Sequence, residues 1–257
     1  EEILALGKRG PLNTLCVDHD GENYIRLKKA SHLVGILGLN ELAQAMTGHE
    51  LHQDAGAMDF ALAVIKFMEL KCEELSSRYG LKIVLEQTPA ESTAYRMAKL
   101  DTRYFPDQAS RYVRGNRETG EIYYTNSSHF AYDVSMDPVE KVLEEGRFHP
   151  MIKAGAITHV WLGEHRPDPR ALASFVRKVF LHSESAQVAF SPEFTVCNDC
   201  GKVVRGLKER CPACDGVNVD GITRITGYFT RTSSWNAGKR AELKDRTKVA
   251  IPGVPVS

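Results

Sequence analysis

The chain has 257 residues, 42% of them hydrophobic, which is enough to bury a core and excludes wholesale disorder. Its 33 Lys and Arg balance 33 Asp and Glu with the signs well mixed, so neither a basic nucleic-acid binder nor a charged interaction tail is indicated. No apolar run is long enough to span a membrane and no secretory signal opens the chain, so a cytoplasmic location is expected.

The start at Glu1-Glu2, without Met, suggests a processed chain or one part of a longer protein. Residues 33–39 form a short apolar segment that suits a buried strand or a turn of helix. Residues 54–79 predict the clearest helix. Met58, Leu62, Ile65, Met68, Cys72 and Leu75 recur at steps of three or four, with Asp54 to cap the start and Gly80 the end. Residues 81–85 read as a strand that runs into Glu86-Gln87-Thr88-Pro89-Ala90-Glu91-Ser92-Thr93, and residues 94–100 as a helix. Further strands are expected at 121–125 and 156–162, and helices at 138–145 and 169–182. The last of these opens with Pro169, where a missing N–H costs nothing. Such alternation implies an α/β layout with parallel strands. The composition changes near Pro192, giving three segments: 1–192, a cysteine-bearing module at 193–220, and a loop-like tail at 221–257 with one short helix at 237–245.

Four of the six cysteines fall in two CxxC knuckles, Cys197/Cys200 and Cys211/Cys214. Each knuckle can point two thiolates at one ion, and two knuckles complete a tetrahedral four-sulfur site that suits a structural Zn²⁺. Two disulfides or a redox CxxC are the alternatives. Such a module would staple a segment with little core of its own. Among the histidines, His49 and His52 have a spacing that permits shared metal binding on a helix, but no carboxylate pattern accompanies them, so they read as surface residues.

The segment after the knuckles reads Arg224-Ile225-Thr226-Gly227-Tyr228-Phe229, then Trp235-Asn236-Ala237-Gly238-Lys239 and Glu242-Leu243-Lys244-Asp245-Arg246. A lone loop glycine usually answers a backbone need for positive φ. The Arg-Ile-Thr-Gly-Tyr string, however, resembles the signature of glycyl radical enzymes. With the knuckles, the Glu86–Thr93 phrase, Tyr123-Tyr124-Thr125-Asn126-Ser127 and Val160-Trp161-Leu162-Gly163-Glu164, the chain resembles the class III anaerobic ribonucleoside-triphosphate reductases from about residue 24 to residue 249.

The resemblance implies part of a glycyl-radical-enzyme α/β barrel, followed by the four-Cys zinc module and the radical loop. It implies oxygen-sensitive reduction of ribonucleoside triphosphates to deoxyribonucleotides, an oxidoreductase step in DNA precursor synthesis. Gly227 would hold the unpaired electron, which is delocalised between an amide nitrogen and a carbonyl. Only glycine offers two Cα hydrogens and no side chain. The radical would be made by a separate activating enzyme that uses S-adenosylmethionine and an iron–sulfur cluster, so the loop must leave its pocket and return. The family's thiyl cysteine lies farther upstream than this chain extends. Cys72 reads as a core residue on the long helix, and Cys16 lacks the expected surroundings. An upstream half on another polypeptide is therefore expected as a partner, in an assembly expected to be dimeric.

The 88–93 loop precedes a predicted helix, whose free N–H groups can bind phosphate. By resemblance Thr88, Ser92 and Thr93 line the nucleotide site, with Arg96 in reach, although Thr88 and Ser92 could equally be helix caps. Asn126 and Ser127 could contact substrate or simply form a turn. Tyr228 and Trp235 are expected to pack around the loop, and the charged tail helix reads as a solvated face. Two other functions remain in view. A formate-lyase-type acyltransferase shares the glycine signature but would lack the four-cysteine module. A zinc-ribbon nucleic-acid module leaves the Gly227 motif unexplained.

Overall fold

A computed structural model describes residues 29–251, together with 18–19, 21–24 and 26. Cys16 lies outside the described residues. Strand β1 (Ser31–Gly35) leads through helices α1 (Leu39–Thr47) and α2 (Ala55–Tyr79) to β2 (Lys82–Glu86). β1 and β2 pair in parallel, from Ser31 opposite Lys82 to Gly35 opposite Glu86. Parallel pairing requires a long crossover, and α1 and α2 supply it. The predicted caps hold: Asp54 accepts from the Ala57 N–H, and α2 ends at Gly80. The helix buries Ala57, Met58, Ala61, Ile65 and Cys72 in a core shared with Leu85, Phe130 and Phe148.

Helix α3 (Glu91–Tyr104) continues into the short α4 (Pro106–Ala109), then a small antiparallel hairpin, β3 (Arg114–Asn116) with β4 (Glu121–Tyr123). Helix α5 (Pro138–Gly146) is capped by Asp137 and starts with a proline. β5 (Thr158–Gly163), α6 (Pro169–His182) and β6 (Val188–Pro192) form a second parallel crossover unit, with Thr158 opposite Val188. The two crossover units bear out the α/β reading. Among the described residues the parallel strands form two separate pairs and no closed barrel.

The tail departs from expectation. Residues 194–231 carry one antiparallel sheet in the order β8-β7-β9-β10, from β7 (Phe194–Cys197), β8 (Val203–Arg205), β9 (Val219–Arg224) and β10 (Phe229–Arg231). The loop expected from 221 onward thus includes the end of β9 and all of β10, and the cysteine module and the glycine loop belong to one sheet. Helix α7 (Ala237–Asp245) follows, with Asn236 capping it by accepting from the Lys239 N–H.

The strand ends converge. The Ile36 N–H donates to the Glu86 carbonyl, Gly38 to Thr125, Leu39 to Ser127, and Gln87 to Gly155. Gln87 completes the junction with its side chain, accepting from the Ile157 N–H and donating to Ser128 Oγ. The chain end returns across it, Thr247 donating to Tyr132 and Val249 to Trp161.

Candidate functional site

A small pocket opens where these ends meet. Gln87, Thr88, Pro89, Asn126, His129, His159 and Trp161 line it from the body, and Ile225, Thr226, Lys239 and Glu242 from the tail. Its volume is about 10 Å³, room for roughly one water. Residues 225–228 are the tip of the β9–β10 hairpin, closed by Arg224 opposite Phe229 and by the Ile225 N–H donating to the Tyr228 carbonyl at 3.2 Å. Arg224 donates to the Gly227 carbonyl and lies 4.6 Å from the Phe229 ring centroid. Thr226 Oγ1 donates to Glu91 Oε1 at 2.9 Å.

Gly227 itself is exposed. Its φ is outside the left-handed region, and a Cβ built on it would meet nothing within 4 Å. The usual reasons for a loop glycine, positive φ or close approach, are both absent here. Gly238 is the opposite case. A Cβ there would run into the Ile122 carbonyl and the Tyr95 ring, so the glycine lets α7 lie directly on β4 and α3. Tyr228 is 67% exposed and does not pack around the loop, whereas Trp235 is 4% exposed, with its indole N–H on Thr230 Oγ1. Tyr228 follows the bend at the hairpin tip, where no neighbouring element covers it.

The tail helix is not a solvated face. Lys239, Glu242 and Arg246 are buried: Lys239 Nζ lies 2.7 Å from Glu242 Oε2, and Arg246 Nη2 lies 2.9 Å from Glu242 Oε1. The Arg246 guanidinium stacks 3.8 Å from the Trp161 ring centroid and donates to the Arg224 carbonyl at the hairpin base. Burial opposes the charge on Glu242, but the two cations hold its carboxyl below the ordinary range. Lys239 is lowered by burial against the pull of Glu242 and Glu91. The stripe at i, i+3 and i+7 reads locally as an ordinary solvated face, because the groups that bury it, Trp161 and the Arg224 carbonyl among them, are distant in sequence.

Behind the pocket, His129 Nδ1 lies 3.5 Å from Glu145 Oε2. Burial would raise Glu145, yet Lys141, His129 and the Phe130 N–H hold it at about 2. His159 is pushed well below its ordinary value, first by burial, and its ring stacks on Trp161 at 4.5 Å. Neither histidine had a sequence pattern to mark it.

Of the anticipated nucleotide contacts, Thr88 and Asn126 line the pocket, and Asn126 Oδ1 is buried without a partner. Thr88 Oγ1 donates to Glu86 Oε2. Ser127 is fully buried at φ 49°, away from the lining. Ser92, Thr93 and Arg96 are exposed on the first turns of α3. Neither Thr88 nor Ser92 caps α3: its N-cap position is Ala90 at φ 42°, with no side-chain hydrogen bond.

At the far end of β9 the four cysteine sulfurs lie within 4.8 Å of one another, with Cys197–Cys214 at 3.6 Å and Cys200–Cys211 at 3.7 Å. A disulfide needs about 2.05 Å, and all four are free thiols. Tetrahedral bonds of about 2.3 Å place sulfurs about 3.8 Å apart, so the donor set fits one ion. The Ala213 and Cys214 N–H groups favour the Cys211 thiolate, lowering it to about 7. Among the described residues this is the one group of three or more metal-binding side chains, and His49 and His52 belong to none. Cys72 is buried on α2, and burial raises its thiol.

Residues 11–248 match the family described as anaerobic ribonucleoside-triphosphate reductase. The chain belongs to that family. An anaerobic ribonucleoside-triphosphate reductase of Salmonella typhimurium is 25% identical over 250 residues, covering 91% of this chain and 33% of the relative. That of Enterobacteria phage T4 is 24% identical, covering 89% and 38%. The chain thus spans about a third of the length of these family members. Among solved structures, an anaerobic ribonucleotide reductase superposes with a TM-score of 0.69 at 24% identity, over 87% of this chain and 35% of that one. The Thermotoga maritima enzyme with dATP bound in its specificity site gives 0.68 at 24%, over 91% and 37%. These likenesses establish the family's fold over most of the chain. No helix of the described residues is long and apolar enough to cross a membrane.

Proposed function

We propose that this chain supplies the glycyl-radical part of a reductase that converts ribonucleoside triphosphates to 2′-deoxyribonucleoside triphosphates without oxygen. The observation that carries the reading is Gly227. It stands at an exposed hairpin tip beside the pocket, and neither its backbone angle nor its neighbours call for a glycine. What remains specific to glycine there is the Cα–H bond. Loss of one Cα hydrogen atom leaves an unpaired electron shared between the flanking amide nitrogen and carbonyl. Accessibility suits hydrogen abstraction by an activating enzyme that uses S-adenosylmethionine and an iron–sulfur cluster.

The radical then passes to a thiyl cysteine on the remaining part of the reductase. The thiyl takes the substrate's 3′-hydrogen, and the 2′-hydroxyl takes up a proton and leaves as water. A two-electron donor (formate or a dithiol) reduces the resulting substrate radical at C2′. The cysteine then returns the 3′-hydrogen and is a thiyl again. The first turn of α3, with no side-chain cap and with Thr88, Ser92 and Thr93 beside it, suits the triphosphate. Lys239 lines the pocket beside Glu242 and is the cation there that an anionic substrate could meet. Cys197, Cys200, Cys211 and Cys214 would hold Zn²⁺. With four thiolates the ion has no open position, so it supplies rigidity and no chemistry.

The test is anaerobic electron paramagnetic resonance on the chain with the rest of its reductase, activating enzyme, S-adenosylmethionine and a reductant. A doublet that Gly227→Ala abolishes, with air cutting the chain at residue 227, is expected. A silent, metal-loaded and complete assembly would remove Gly227 from the chemistry.

A further inference from the structure

We infer that Glu91 is a positioning residue for the glycine-bearing tip, holding Thr226, and with it Gly227, at the mouth of the pocket; the inference rests on the reading of Gly227 given above. Among the described residues, the bond from Thr226 Oγ1 to Glu91 Oε1 at 2.9 Å is the one hydrogen bond tying tip residues 225–228 to the first 192 residues. The two groups are 135 positions apart in the chain, so the contact is purely tertiary. Glu91 also holds the other side of the segment. Its backbone carbonyl accepts from Asn236 Nδ2 at 3.3 Å, and Asn236 is the residue that caps α7. One residue thus fastens both ends of the stretch from the tip to the tail helix, by side chain and by backbone.

The backbone around Glu91 is shaped to make this possible. Ala90 takes a left-handed conformation at φ 42°, which residues with a Cβ avoid and keep only where surroundings hold them. Its effect is to start α3 at Glu91. Ordinary helix starts place Ser, Thr, Asp or Asn at the cap. Here the first turn spends its acidic side chain on the hairpin opposite. Ser92 and Thr93 sit on the same turn, so the hold on the tip and the proposed phosphate site share one piece of backbone.

A hydrogen bond between a hydroxyl and a carboxylate lowers the open population of the tip by about tenfold. Amide hydrogen exchange, read on the full metal-loaded reductase, measures that population without any radical. Glu91→Ala and Thr226→Val should each speed exchange at the Ile225 amide, the tip N–H that donates to the Tyr228 carbonyl, about tenfold, and the double variant should be no faster than either. Glu91→Gln keeps an acceptor at the same reach and should restore slow exchange. In turnover, Glu91→Ala should lower kcat while leaving the nucleotide KM unchanged. Damage to the start of α3 would raise KM as well, and that result would overturn the assignment. So would unchanged exchange at the Ile225 amide in both single variants. If exchange responds as described but the wild type gives no doublet, the radical reading fails and the hold on the tip stands.

Discussion

Two glycines eleven positions apart, Gly227 and Gly238, show how differently one residue type can be constrained. Gly227 meets nothing that a methyl group would disturb, so Gly227→Ala should change stability by less than about 0.5 kcal/mol while abolishing the radical. Gly238→Ala should cost about 1–3 kcal/mol, because the new Cβ strikes the Ile122 carbonyl. Urea unfolding of both variants measures the contrast. A large loss from Gly227→Ala would return that glycine to a conformational role. Glu242 is a third case. It is buried between Lys239 and Arg246, and Glu242→Ala leaves two cations unpaired out of water. Breaking such a group costs about 3–5 kcal/mol. The same unfolding experiment would register it as a marked loss, and a change under about 1 kcal/mol would show that water reaches the triad.

At the scale of elements, the helices were readable and the tail sheet was not. Helix α2 announces itself through local chemistry: apolar steps of three and four, Asp54 before it and Gly80 after it. Strand β9, Val219-Asp220-Gly221-Ile222-Thr223-Arg224, has no clean alternation, and its partner β7 lies across the knuckle region. Its strand character comes from pairing, which no window of sequence contains. The same holds for the site. The cysteines were legible because spacing within each knuckle is local, and Gly227 because its neighbours form a recognisable string. Glu91, His129 and the α7 triad were missed because burial of a charge is decided by partners distant in sequence. A prediction belongs here too. Cys197→Ser or Cys211→Ser should drop bound metal and loosen β7 and β9, while α2, in its separate core, keeps its exchange protection. Metal analysis beside hydrogen exchange tests this, and uniform loosening would argue against a local role for the four-sulfur group.

Across the whole molecule, acid should act earlier than carboxylate chemistry alone would make it. Burial lowers His149 from 6.5 to about 4, and its Nδ1 accepts from the Ala186 N–H. The unfolded chain takes up that proton first. Stability is therefore complete above about pH 6.5 and falls as pH drops towards 4. Glu145 adds a lower limb. Its carboxyl is held at about 2 against an ordinary 4.5, so its contribution is intact above 4.5 and is lost as pH falls through 2. Melting temperature should already decline between pH 6.5 and 4.5, and His149→Asn should flatten that stretch. A flat wild-type curve there would contradict the burial of His149.

The shared sheet has a mechanical consequence. β9 runs from the four-sulfur group at Val219 to the hairpin tip at Arg224, about 17 Å at 3.4 Å per residue. The tip is held at its own end by Glu91 on Thr226, so slack introduced at the sulfurs throws the restraint of Gly227 onto that contact. Chelation would be felt first as wandering of the tip, at metal losses too small to register in the overall fold.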